Sequence, residues 1–90
     1  MIKNVIKRDN RRRKFNIAKV YTAIENAFKS VNENYTEEGI DQLVDKVVEN
    51  ISVNDTKSAR VEDIQNVIEK TLMNDGFGTV AKAFILYRDE

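Results

Sequence analysis

Residues 16–31, NIAKVYTAIENAFKSV, carry the clearest folding signal in the chain. Ile17, Val20, Tyr21, Ile24, Ala27, Phe28 and Val31 recur at three- and four-residue steps, which gathers apolar side chains on one face of a helix. Asn16 stands where an N-cap is expected, and Lys19 lies near the first turn, whose free backbone N–H groups favour anions. The spacing predicts a helix over about 17–31, the strongest amphipathic element of the sequence.

Working outward, Thr36 is the next N-cap, followed by Glu37 and Glu38, which suit the helix dipole, and by a stripe from Ile40 to Ile51. A second helix is expected over 37–51. Residues 52–60 read as a loop, with a short strand near Ser58 to Val61 joining a sheet. A third helix is expected over 62–74, stopped by Asn74-Asp75-Gly76, and a fourth over 78–88. The fourth is apolar nearly all round, which predicts a central position among the others. Upstream, Asn4 to Arg8 alternates apolar and basic residues, Asp9-Asn10 makes a turn, and Arg12 to Phe15 returns, giving a hairpin over 4–15 anchored by Ile6 and Phe15. Strand period two puts Val5 and Lys7 on one face and Ile6 and Arg8 on the other. The expected fold is α+β, mostly α: a four-helix bundle capped by a two- to three-stranded β-sheet, as one domain over 1–90.

Ninety residues leave no room for a second core. The absence of Cys and His excludes a disulfide framework, a zinc ribbon, a thiol nucleophile and an imidazole base. Short, interrupted apolar groups predict no membrane span and a cytoplasmic setting. Fifteen basic and fifteen acidic residues balance, but unevenly along the chain. Residues 1–20 hold eight basic side chains against one acid, a net +7, and the remaining seventy hold seven against fourteen, a net −7. A basic end of this kind attracts phosphates, whether on a nucleotide, a nucleic acid or a membrane.

Gly76-Phe77-Gly78-Thr79-Val80-Ala81 fits the G-x-G-x-x-A dinucleotide pattern but follows a helix, where a strand is required, and reads as a helix-stop turn. No phosphate loop of the G-x-x-x-x-G-K type is present. Acid pairs at 37–38 and 62–63 open helices, so they point to the dipole and not to acid–base catalysis. The richest signal is Val5-x-Lys7-Arg8 on the hairpin with Asn16-x-x-Lys19 at a helix start, which together gather cations and backbone donors around one volume. A polyphosphate suits that volume.

At these residues the chain resembles the ATP-cone, the regulatory nucleotide-binding domain at the N-terminus of many ribonucleotide reductases and in the repressor of their genes. The resemblance rests on Val5-Ile6-Lys7-Arg8-Asp9-Asn10-Arg11, on Phe15-Asn16-x-x-Lys19-Val20-x-x-Ala23-Ile24, on Val61-Glu62-Asp63-Ile64-Gln65 and on the run from Val80 to Arg88. It implies ATP or dATP between sheet and helices, with Mg²⁺ accompanying the phosphates although no carboxylate cluster marks a cage. It also implies that Val5 lies against adenine, that Lys7 and Arg8 reach phosphate, that Asn16 and Lys19 close the site, and that Gln65 and Tyr87 line it. Plain structural alternatives are strand packing for Val5, a cap for Asn16, solvent for Gln65 and core for Tyr87. Asn10 replaces the usual turn Gly, Arg13 an acidic or neutral residue, and Val61 a hydroxyl residue. The implied partners are adenine nucleotides, a reductase catalytic domain or subunit, and further copies in a homo-oligomer. Without cysteines for the repressor's zinc ribbon, the reductase branch is the better comparison, as a domain cut from a larger protein or a free-standing cone. The alternative is a nucleic-acid-binding domain using Arg11 to Lys14 as a phosphate-contacting arm.

Overall fold

The computed structural model describes the backbone of residues 1–88 and the side chains of all of these except Tyr87. Along the chain run β1 (Asn4–Ile6), β2 (Arg12–Lys14), α1 (Ile17–Ser30), α2 (Glu37–Asn50), β3 (Ser58–Arg60), α3 (Val61–Asn74) and α4 (Gly78–Tyr87). The architecture is α+β and mostly α, as expected, and the helix limits fall within one residue of those read from the sequence.

The sheet has the order β2-β1-β3, so β1 is its middle strand. It pairs antiparallel with β2, Val5 opposite Arg13, and parallel with β3, Val5 opposite Ala59. The hairpin turns on Asn10, whose φ of 67° lies in the left-handed region that Asn tolerates better than most side chains. The Asn10 N–H donates to the Lys7 carbonyl at 2.9 Å, and the Lys7 N–H to the Arg11 carbonyl at 2.8 Å. One anchor differs from expectation. Ile2, which lies before the expected hairpin, is buried, and Val5 and Phe15 pack against the core, whereas Ile6 is half-buried outside that cluster.

Two helices begin on side-chain caps. Asn16 Oδ1 accepts the Ala18 N–H at 3.0 Å, and Thr36 Oγ1 accepts the Gly39 N–H at 3.0 Å. A Cβ on residue 39 would sit 3.1 Å from that same hydroxyl, so glycine lets the cap come close. At the end of α3, Gly76 takes φ +87° while the Phe77 N–H donates to the Leu72 carbonyl at 2.8 Å. The G-x-G-x-x-A pattern is therefore a helix stop.

Helix α1 packs on α2 and α4, and α3 packs on the same two neighbours, closing a ring of four. Ile24, Phe28, Ile40, Val47, Leu72 and Val80 are the innermost side chains, each worth roughly 1.5–3 kcal/mol on burial. Phe28 meets Phe77 edge-on at 4.9 Å between ring centroids and Tyr35 at 5.7 Å. Tyr35 Oη donates to Glu25 Oε2 at 3.1 Å, and burial, then this bond, raises its pKa above the usual phenol value. The position of α4 departs from expectation. It packs chiefly on α1 and α3, and Leu86 is 72% exposed, so the all-round apolar pattern does not make it the central helix. No described helix is long and apolar enough to cross a membrane.

Candidate functional site

The sheet, α1, α3 and α4 enclose a cavity of about 590 Å³. Its existence follows from where small residues fall. Ala23 and Ala27 on α1 and Ala83 on α4 line it, and side chains this short leave open a volume that larger ones would close. Each wall obeys the periodicity of its element. From α1 come Asn16, Lys19, Ala23, Asn26 and Ser30, at helical three- and four-residue steps, and from α3 come Val61, Ile64, Gln65 and Ile68. From the sheet come Val5 and, on its cross-strand partner position, Arg13.

Five of the seven site residues expected from the sequence border this one cavity: Val5, Lys7, Asn16, Lys19 and Gln65. Arg8 does not line it. Arg8 stands in the hairpin turn beyond the end of β1, and its Nε lies 3.8 Å from Glu62 Oε1 at the start of α3. Glu62 Oε2 also accepts from Arg60 Nε at 3.0 Å, so the hairpin turn is tied to α3 by a shared carboxylate. Tyr87 closes α4, and its side chain lies outside the described residues.

Asn16 serves as a helix cap and borders the cavity at once. Its replacement by alanine is expected to cost about 1 kcal/mol in urea denaturation, and Asn16→Asp, which keeps the acceptor oxygen, to restore most of it. Gln65 is held by a bond from its Nε2 to the Arg88 carbonyl at 3.2 Å, leaving its amide oxygen without a described partner.

Arg88 is not among the site residues expected from the sequence. It lies four residues after Phe84, one helical turn on along the cavity-facing side of α4, and this spacing is the signal that points to it. Its Nη1 donates to Asn66 Oδ1 at 3.1 Å and approaches Glu69 Oε2 at 3.4 Å. Its Nε is buried with no hydrogen-bond partner among the described residues, a donor for which an incoming acceptor would compensate.

Electrostatically the lining is one-sided. Lys7, Arg13, Lys14, Lys19 and Arg88 contribute cations, and no described lining residue is a carboxylate. The one acid of the N-terminal twenty residues is already engaged. Asp9 accepts the Arg11 N–H at 3.1 Å and lies 2.6 Å from the Arg11 guanidinium. The backbone bond, more than the neighbouring charge, holds its carboxyl below the usual carboxylate range. Among the described residues no group of three or more His, Cys, Asp or Glu is placed to hold a metal ion.

Comparison with known proteins gives consistent matches over the chain. Residues 3–90 match the family described as ATP cone domain. The chain is 43% identical over 95 residues to the vitamin B12-dependent ribonucleoside-diphosphate reductase of Thermoplasma acidophilum, a match covering 100% of this chain and 12% of that protein. It is 35% identical over 92 residues to the ribonucleoside-diphosphate reductase subunit alpha of Chlamydia pneumoniae, covering 94% of this chain and 9% of that subunit.

Proposed function

Since the chain belongs to the ATP-cone family, a regulatory and non-catalytic part of ribonucleotide reductases, we propose that ATP and dATP compete for the cavity between its sheet and helices. The observation that carries this reading is a single volume with two kinds of wall. Val5, Val61, Ile64 and Ile68 offer an apolar surface to a flat base, while Lys7 and Lys19 offer cations to a phosphate tail. A volume of about 590 Å³ is in the range that encloses a nucleotide-sized ligand. Asn16, the cap of α1, and Gln65 on α3 supply polar contacts. Arg8, in the hairpin turn beside Glu62, contributes by fixing the hairpin in the observed arrangement or by turning to a long phosphate tail.

Regulation requires a difference. A nucleotide shifts an equilibrium only as far as its affinities for two arrangements differ, so the 2′-hydroxyl must change contacts with the sheet or α1. The two arrangements would differ in how the cone meets a reductase catalytic domain or subunit, or other copies of itself, in the cytoplasm. Mg²⁺ expected with the phosphates finds no carboxylate among the described lining residues, so the donor set does not fit a protein-held divalent ion.

The competing proposal is nucleic-acid binding through the exposed arm Arg11 to Lys14, which includes β2. Calorimetric titration with ATP, dATP, GTP and a short DNA duplex separates the two. Saturable micromolar binding of both adenine nucleotides, weak binding of GTP and no duplex binding at physiological salt are expected. Duplex binding with a steep salt dependence and no response to ATP would favour the competing reading.

A further inference from the structure

We propose that the cavity takes the nucleotide as its free, metal-less polyanion, the chain's own cations doing what a divalent ion does at most triphosphate sites. This rests on the nucleotide reading above and goes beyond it.

The cations come from four separate elements or their ends. Lys7 follows β1, Arg13 and Lys14 belong to β2, Lys19 stands in the first turns of α1, and Arg88 caps α4. Arg13 is fixed on the cavity side by register, since it stands opposite Val5, which itself lines the cavity. Two acids near these cations are committed elsewhere: Asp9 to Arg11, and Glu62 to Arg8 and Arg60. Glu69 touches Arg88 from outside the lining and offsets part of one charge.

Mg²⁺ bound with a nucleotide usually keeps one or two carboxylates as well as phosphate oxygens. Here the ion would enter a cluster of like charge without such a ligand. It would also remove about half the charge of the triphosphate, weakening its attraction to every cation around it. The buried Arg88 Nε, lacking an acceptor, is satisfied by a phosphate oxygen and not by a metal.

The test is calorimetric titration of the chain with ATP in excess MgCl₂ and in excess EDTA at equal ionic strength. Binding in EDTA at least as tight as in Mg²⁺, and about tenfold tighter if one charge-assisted contact is regained, is expected. Weaker binding in EDTA overturns the proposal while leaving nucleotide binding intact, and no binding in either buffer overturns both. Arg13→Glu, an exposed position whose folding is checked by circular dichroism, introduces a carboxylate. In that variant binding is expected to fall about tenfold or more in EDTA and to recover in Mg²⁺. A variant unchanged in both buffers overturns the role given to Arg13. Asp89 and Glu90 lie outside the described residues, and their joint replacement, Asp89→Asn with Glu90→Gln, is expected to leave the EDTA-to-Mg²⁺ ratio unchanged; a changed ratio counts against the proposal.

Discussion

The double replacement Lys7→Ala with Lys19→Ala is expected to weaken ATP binding by about 100-fold or more while leaving the fold intact. Each lysine contributes a charge-assisted contact worth about 1.5–3 kcal/mol, and every 1.4 kcal/mol or so is tenfold in affinity. The two approach the cavity from different elements, Lys7 from the end of β1 and Lys19 from α1, so neither easily takes over the role of the other. Lys19 is exposed and Lys7 half-buried, and neither belongs to the core cluster, so thermal melting should move little. Conservative replacement by arginine keeps the charge and should retain much of the affinity. If the double alanine variant binds ATP as tightly as the parent chain in calorimetry, the cationic wall is not where the phosphates go.

Much of this site is legible in the sequence because its walls are periodic. Once Lys19 is placed on α1, steps of three and four residues reach Ala23, Asn26 and Ser30, and the same rule from Val61 reaches Ile64, Gln65 and Ile68. The sheet is legible in part. Alternation by itself separates Arg8 from Lys7, yet family resemblance places both at phosphate; β1 ends at Ile6, and Arg8 lies in the turn beside Glu62. Arg88 is harder to find, since a terminal arginine after an apolar helix looks like an ordinary solubilising end, and only packing shows its Nε to be buried. The position of α4 is obscured for a related reason. An apolar run has no preferred face, so composition alone cannot tell a central helix from one with exposed Ile85 and Leu86. Ile2 lies before the first recognisable pattern and is buried, two residues ahead of a strand whose parallel pairing with β3 joins distant parts of the chain.

The second large effect concerns the frame that holds the cavity open. Phe28→Ala is expected to destabilise the fold by about 3–5 kcal/mol. Phe28 is 1% exposed, and its ring contacts Phe77 just ahead of α4 and Tyr35 in the connection to α2. Truncation removes buried aromatic surface and both ring contacts, and the hole is surrounded by side chains already at close packing. Set against a total of roughly 5–15 kcal/mol for a natural domain, such a loss leaves little or no folded population at 37 °C. For a chain of this size it corresponds to a drop in Tm of more than about 12 °C. Phe28→Leu keeps most of the volume and should recover a large part of the loss. Urea denaturation followed by circular dichroism measures both, and a Phe28→Ala variant within about 1 kcal/mol of the parent would mean that α1 and α4 are not clamped through this ring. Because α1 and α4 form two walls of the cavity, the same variant should bind ATP weakly even where it remains folded.

The most direct measurement is a methyl NMR titration with ATP on the labelled chain. Saturable shifts centred on the methyl groups of Val5, Ala23, Ile64 and Ala83, with those of Leu43 and Val47 on α2 unmoved, are the predicted result. Absence of shifts at saturating nucleotide, or shifts that bypass these four residues, would contradict the account.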